Sequence, residues 1–216
     1  MGEKRIKENV EFWDWVFRFV SKPVTHFFVK FTKITPNQIT ILSFILGLLA
    51  AGLILMGDYN YLVVAGVLVL IFMVLDNVDG EIARITKKTS KLGHWLDGVV
   101  GFIINEALIL AMALSIGSPL SLSVGLLTMI AFPMQYLLIF FYKAEIVKEN
   151  APITIGSGSL INKIKYLYGS TFFQFTVAIG CFFNKLLWVL IFFAVIGNLF
   201  WMGTLFVQYI NLKRKF

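Results

Sequence analysis

Charge is scarce in this chain. Of its 216 residues, 14% are charged and 58% are hydrophobic, whereas a soluble domain carries about 25% charged and about 45–50% apolar residues. That shortage excludes an ordinary soluble domain and points to an integral membrane protein. A single membrane domain over 1–216 is expected, because the polar segments are too short to bury a core of their own. Cysteine is nearly absent. Cys181 is the only one, so no intramolecular disulfide organises the fold, and its apolar run marks it as a small buried hydrophobe. Internal repeats and low-complexity tracts are missing too. The opening stretch MGEKRIKENVEFWDWVFRF lacks the compact apolar core and small-residue cleavage site of a secretory signal, and its aromatic segment carries Asp14 and Arg18.

Apolar helix is what the chain has in quantity. About 20 apolar residues cross a bilayer, and six such runs occur, at roughly 38–56, 61–84, 93–116, 119–142, 167–184 and 186–210. The predicted fold class is all-α: six transmembrane helices plus an N-terminal interfacial amphipathic helix. That first element, residues 10–34, reads as one helix or a pair broken near Pro23. It would lie in the interface with Trp13, Trp15, Phe17, Phe19, Phe27 and Phe28 at headgroup depth and Lys22, Lys30 and Lys33 reaching water. Thr35 and Pro36 read as the cap and first residue of the first span. Gly57-Asp58-Tyr59-Asn60 and Gly117-Ser118-Pro119 read as turns. Asn184-Lys185 is all that separates the last two spans. The 22 phenylalanines read as lipid-facing or packing residues and indicate no cofactor.

Charge asymmetry predicts orientation. In a six-span arrangement Lys87, Lys88, Lys91, Lys143, Lys148, Lys163, Lys165, Lys213, Arg214 and Lys215 fall on one side with the basic amino-terminal segment, and only Lys185 falls on the other. The positive-inside rule makes both termini, the loop 85–92 and the loop 143–166 cytoplasmic. The net charge of +7 suits an anionic leaflet and polyanionic substrates and needs no nucleic acid. Lys163 and Lys165 read as topology and lipid contacts, or as contacts to an anionic acceptor.

Within this apolar chain Asp76, Asp79 and Asp97 sit beside membrane-length runs, where an ionised carboxylate is costly and therefore a functional-site candidate. At about 100° per residue, Asp76, Asp79, Gly80 and Ala83 share one helical face with Arg84 at its flank. Gly93 and Asp97 share a face of the next span. The short link between the spans forces an antiparallel pair, so the two faces can meet. Hard oxygen ligands suit Mg²⁺, Mn²⁺ or Ca²⁺, whose charge relieves repulsion among the carboxylates. Small residues let a phosphorylated ligand approach the backbone, and Arg84 offers a fork for phosphate oxygens.

The pattern Asp76-x2-Asp79-Gly80-x2-Ala83-Arg84-x8-Gly93-x3-Asp97-x3-Gly101 resembles the signature of the CDP-alcohol phosphotransferase family, D-x2-D-G-x2-A-R-x8-G-x3-D-x3-D. Seven of its eight fixed positions match across 26 residues. The six spans, the interfacial amino-terminal helix and Thr35-Pro36-Asn37 before span one resemble the family too. The resemblance implies a membrane transferase of phospholipid biosynthesis that moves a substituted phosphate from a CDP-activated lipid alcohol to an acceptor hydroxyl and releases CMP. It also implies metal ligation by Asp76, Asp79 and Asp97 with Mg²⁺ or Mn²⁺ (possibly two ions), a CDP site shaped by Gly80, Ala83, Arg84 and Gly93, and a homodimer. Asn37 either contacts nucleotide or metal or sits in the first turn of its helix.

The chain departs from the pattern at Gly101, where the family has the aspartate assigned there as the acceptor's base. His94, about 60° around the helix from Asp97, is the named substitute. Glu81 points away from Asp79, and Glu106 lies on nearly the opposite face from Asp97. Glu106 is left facing a cavity or a dimer partner. Gly101 keeps open an alternative: a catalytically impaired relative that binds CDP-lipid or metal as a partner or regulator. A small transporter using the carboxylates for ion coupling fits the acids but not Arg84 and the glycines.

Overall fold

The computed structural model describes residues 12–146 and 169–213. Its elements are α1 (Phe12–Phe31), α2 (Pro36–Leu55), α3 (Tyr59–Ile85), α4 (Lys91–Ile116), α5 (Pro119–Ile146), α6 (Ser170–Phe182) and α7 (Leu186–Lys213), with no strand among the described residues. Five of them, α2, α3, α4, α5 and α7, are long and apolar enough to cross a membrane. The run expected as a span over 167–184 is the 13-residue α6, about 20 Å long at 1.5 Å per residue and short for a bilayer core. Its expected positions 167 and 168, and the lysines 148, 163 and 165, lie outside the described residues.

Local chemistry sets the helix ends. Thr35 and Gln38 cap α2 reciprocally: the Gln38 N–H donates to Thr35 Oγ1 (3.4 Å) and the Thr35 N–H to Gln38 Oε1 (2.8 Å), with Pro36 at the first helical position. Asp58 caps α3 through the Asn60 N–H, and Ser90 caps α4 through the Gly93 N–H, both at 2.9 Å. Gly117, at φ +63°, closes α4 in the left-handed conformation. Asn184, at φ +52°, turns the chain between α6 and α7.

The helices approach closely where a side chain is missing. A Cβ on Gly47 of α2 would stand 2.8 Å from Ile104 of α4. One on Gly66 of α3 would stand 2.8 Å from the Phe182 ring and 3.1 Å from the Ala178 carbonyl of α6. Small residues at such crossings are how membrane helices gain packing contact. Phe132, Phe173 and Phe193 knit α5, α6 and α7 together, with ring centroids 4.9 and 5.0 Å apart about Phe173. Cys181 is buried and free.

α1 packs on α3. The buried hydroxyls of Ser21 and Thr25 donate to Glu81 Oε1 and Oε2 at 2.9 and 2.6 Å, while Phe19 and Phe27 on the outer side are exposed. Residues Val24, Phe28 and Ile34 close over Ile39, Leu75, Val78 and Ile82, bracing α2 against α3. Of the two arrangements open at Pro23 the structure has the single helix, which runs from Phe12 to Phe31 with Pro23 inside it. Ser21 and Thr25 flank the proline and bind one carboxylate, which holds the turn that proline weakens.

Gly66→Val overpacks the α3–α6 crossing and is expected to cost about 1–3 kcal/mol. Tryptophan-monitored thermal unfolding in detergent should show a lowered Tm, and an unchanged Tm contradicts the close approach.

Candidate active site

The first turn of α2, the last two turns of α3 and the first two turns of α4 enclose a cavity of about 170 Å³. From α2 come Asn37 and Thr40, from α3 Asp79, Gly80, Ala83 and Arg84, and from α4 Gly93, His94 and Asp97. The helix-turn-helix link adds Lys88, Thr89 and the capping residue Ser90.

Asp79 is the buried member, only 4% exposed. Thr40 Oγ1 donates to its Oδ2 at 2.5 Å and also lies 3.2 Å from the Pro36 carbonyl. Asp97 brings like charge to Asp79 and Arg84 brings opposite charge. Arg84 folds back over Gly80, where a Cβ would sit 3.3 Å from a guanidinium nitrogen. Gly93 has the same permissive role on α4: a Cβ there would be 3.1 Å from both Asn37 Oδ1 and Ser90 Oγ. The bare backbone at 93 is what lets the Asn37 amide reach α4.

A second cavity of about 640 Å³ adjoins the first, sharing His94 and Asp97 as lining residues. Asp76 lies here rather than in the smaller cavity, as a hydrogen-bonding partner of Asp97. Gly101 also lines it, and a Cβ on Gly101 would meet nothing within 4 Å. His94 is exposed and close enough to Asp97 for their charges to interact. Glu106 lines neither cavity, and its buried Oε1 has no hydrogen-bond partner among the described residues. Glu81 faces away from both, towards α1.

The donor set has the chemistry for a hard divalent cation. Two carboxylates within hydrogen-bonding reach, Asp76 and Asp97, need either a shared proton or a cation between them, and a third carboxylate lies beside Asp97. Among the described residues no three Asp, Glu, His or Cys side chains already form a closed ligand set. A cation held here would therefore take further oxygens from a phosphate or from water, as Mg²⁺ commonly does.

Several residues escaped sequence reasoning. Thr40 stands three residues after Asn37 on the same face of α2, a spacing that marks it as a neighbour of the same cavity. Ser21 and Thr25 carry no signal that pairs them with Glu81. Asn105 Nδ2 donates to Ser170 Oγ and Asn105 Oδ1 accepts from Gln174 Nε2, partners more than 60 positions away.

A family model described as CDP-alcohol phosphatidyltransferase matches residues 33–206. A bifunctional IPC transferase and DIPP synthase of Aquifex aeolicus is 37% identical over 97 residues, 45% of this chain and 21% of that protein. An archaetidylinositol phosphate synthase of Pyrococcus horikoshii is 35% identical over 81 residues, 38% of this chain and 42% of that protein. The matched stretches cover less than half the length of each of these curated relatives. The crystal structure of phosphatidylinositol phosphate synthase from Mycobacterium tuberculosis with CDP-DAG bound superposes with a TM-score of 0.67 at 16% identity, covering 88% of this chain and 94% of that one. At that identity the likeness establishes the fold. A second structure of that protein is a complex with manganese and citrate.

Thr40→Val leaves the buried Asp79 carboxylate without its hydroxyl donor and is expected to cost about 1–3 kcal/mol. In an Asp79→Asn background the same substitution should cost less, because the charge that needs the donor is gone. Tm values of the four proteins in detergent test this, and equal losses in both backgrounds contradict it.

Proposed function

The chain belongs to the CDP-alcohol phosphatidyltransferase family, and from that premise we propose that it is a divalent-metal-dependent membrane transferase of phospholipid biosynthesis. It moves a substituted phosphate from a CDP-activated lipid to an acceptor hydroxyl and releases CMP. The observation that carries this reading is the cavity among α2, α3 and α4, in which the motif residues Asp79, Gly80, Ala83, Arg84, Gly93 and Asp97 converge.

In this reading the smaller cavity takes the CDP moiety. Gly80, Ala83 and Gly93 leave room for it, Asn37 offers an amide to it, and Arg84 grips a phosphate oxygen with its planar fork. Asp76, Asp79 and Asp97 hold Mg²⁺ or Mn²⁺, which when bound neutralises the diphosphate and the charge developing on the leaving CMP. His94 lines both cavities beside Asp97 and takes the proton from the acceptor hydroxyl in place of the carboxylate that Gly101 lacks. The acceptor oxygen bonds to the phosphorus carrying the lipid alcohol as the bond to the other phosphate breaks. Relatives include synthases of archaetidylinositol phosphate and of phosphatidylinositol phosphate, so a phosphorylated inositol or similar polyol phosphate is the acceptor. Lys88 and Lys91, at the two cavities, supply positive charge for such a group.

The same reading counts α6 as the sixth crossing and lays α1 in the interface with Phe19 and Phe27 towards lipid. It places both termini and the cavity mouth on the cytoplasmic side, and it assembles the chain as a homodimer. Lys87, Lys88 and Lys91 at the α3–α4 turn support the orientation.

Purified protein with Mg²⁺ or Mn²⁺, CDP-diacylglycerol and inositol phosphate is expected to release CMP. Asp76→Asn and Asp97→Asn should each lower the rate more than about a hundredfold. Rates unchanged by either variant or by chelation refute the metal assignment. Gly101 favours a second reading, a binding protein without turnover. Because the space at 101 is open, Gly101→Asp tests it directly: a silent parent chain with an active variant establishes that reading, and an active parent excludes it.

A further inference from the structure

Glu81 is the one acid between Asp76 and Gly101 that the proposed chemistry leaves unused. It follows Gly80 directly and precedes Arg84 by three residues. Side chains so spaced on a helix are neighbours, about 5–6 Å apart at Cβ, and an acid placed before a base is their favoured order. The ordinary partner of Glu81 is therefore Arg84. Among the described residues that ion pair is not made.

Both Glu81 oxygens are instead occupied from α1. Ser21 Oγ donates to Oε1 at 2.9 Å and Thr25 Oγ1 to Oε2 at 2.6 Å. The two hydroxyls are buried and stand four residues apart, on one face of α1. Val24 and Phe28 from the same stretch pack over Leu75, Val78 and Ile82, which fixes where along α3 the hydroxyls fall. Arg84, left without Glu81, folds over Gly80 and lines the smaller cavity.

Arg84 is exposed, and a long side chain at the surface can turn to whichever anion is near. A freed Glu81 would compete for its fork with a phosphate. Its negative charge would also turn towards a cavity whose ligand is an anion. The α1 hydroxyls prevent both.

We propose that Ser21 and Thr25 are positioning residues for the transferase site: they hold the Glu81 carboxylate against α1 and off Arg84, which keeps the guanidinium free for a phosphate of the CDP-lipid. This rests on the CDP-lipid reading above. The interfacial helix thereby sets the charge that the donor meets, as well as covering the ends of α2 and α3.

The test is a loss that a second substitution relieves. In Ser21→Ala/Thr25→Val the KM for CDP-diacylglycerol should rise about two- to fivefold, the effect of one ion pair near the surface that has to be broken. The KM for inositol phosphate should stay as it was. Adding Glu81→Gln to that pair should bring the lipid KM back, because an amide does not capture the guanidinium. A contact that only fastens α1 gives no such recovery. A cycle of Glu81→Gln and Arg84→Gln, read by Tm in detergent without ligand, tests the same switch apart from turnover. The two changes should be additive in the parent chain and coupled in Ser21→Ala/Thr25→Val. Coupling in the parent, additivity in the variant, or a raised lipid KM that Glu81→Gln leaves raised overturns the proposal. If the double variant does not fold, Thr25→Val alone, which removes the shorter contact, carries both comparisons. Absence of CMP from every protein defeats the catalytic reading, while the Tm cycle still decides whether α1 holds Glu81 off Arg84.

Discussion

A carboxylate buried to 4% exposure among membrane-length helices needs a partner close at hand, and for Asp79 that partner is Thr40 on the neighbouring helix. Satisfying one side chain ties α2 to α3 near the end where the motif lies. The capping box at Thr35 and Gln38 starts α2 so that Asn37 and Thr40 both face the cavity. Gly93 then lets α4 come against Asn37. Three helices converge because one buried acid is answered and two backbones carry no side chain in the way.

Glycine serves opposite ends at different crossings. At Gly47 and Gly66 the missing side chain is replaced by a neighbour at contact distance, which stiffens the α2–α4 and α3–α6 crossings. At Gly101 the missing side chain is replaced by nothing within 4 Å, and the result is room. The rigid crossings hold the carboxylate-bearing ends of α3 and α4 in register while the cavity beneath them stays open. A smaller cavity carrying Asp79 and Arg84 and a larger one with aromatic walls meet at His94 and Asp97.

Legibility in the sequence followed the range of the interactions. Thr35 and Pro36 were readable as a helix start because capping acts within three residues. The αL turn at Gly117 and the Asn184-Lys185 connection were readable for the same reason. The shared face of Asp79, Gly80 and Ala83 follows from helical periodicity alone. Pro23 left one helix or two open, and the choice of one rests on Ser21 and Thr25 binding a glutamate some 60 positions away. The division of the acids also stayed hidden: Asp76 and Asp79 are three residues apart, yet they line different cavities.

The sequence by itself determined the environment, the helical content, the approximate bounds of the long apolar helices and the motif by which the family was recognised. These depend on composition, periodicity and caps, all of which act over a turn or two. Only the tertiary structure decided that Thr40 answers Asp79, that Glu81 fastens α1, that Asp97 is common to both cavities and that Asn105, Ser170 and Gln174 form one cluster. Those are contacts between helices. Which face of one helix meets which face of another depends on packing volume summed over the bundle, and no local pattern encodes that sum.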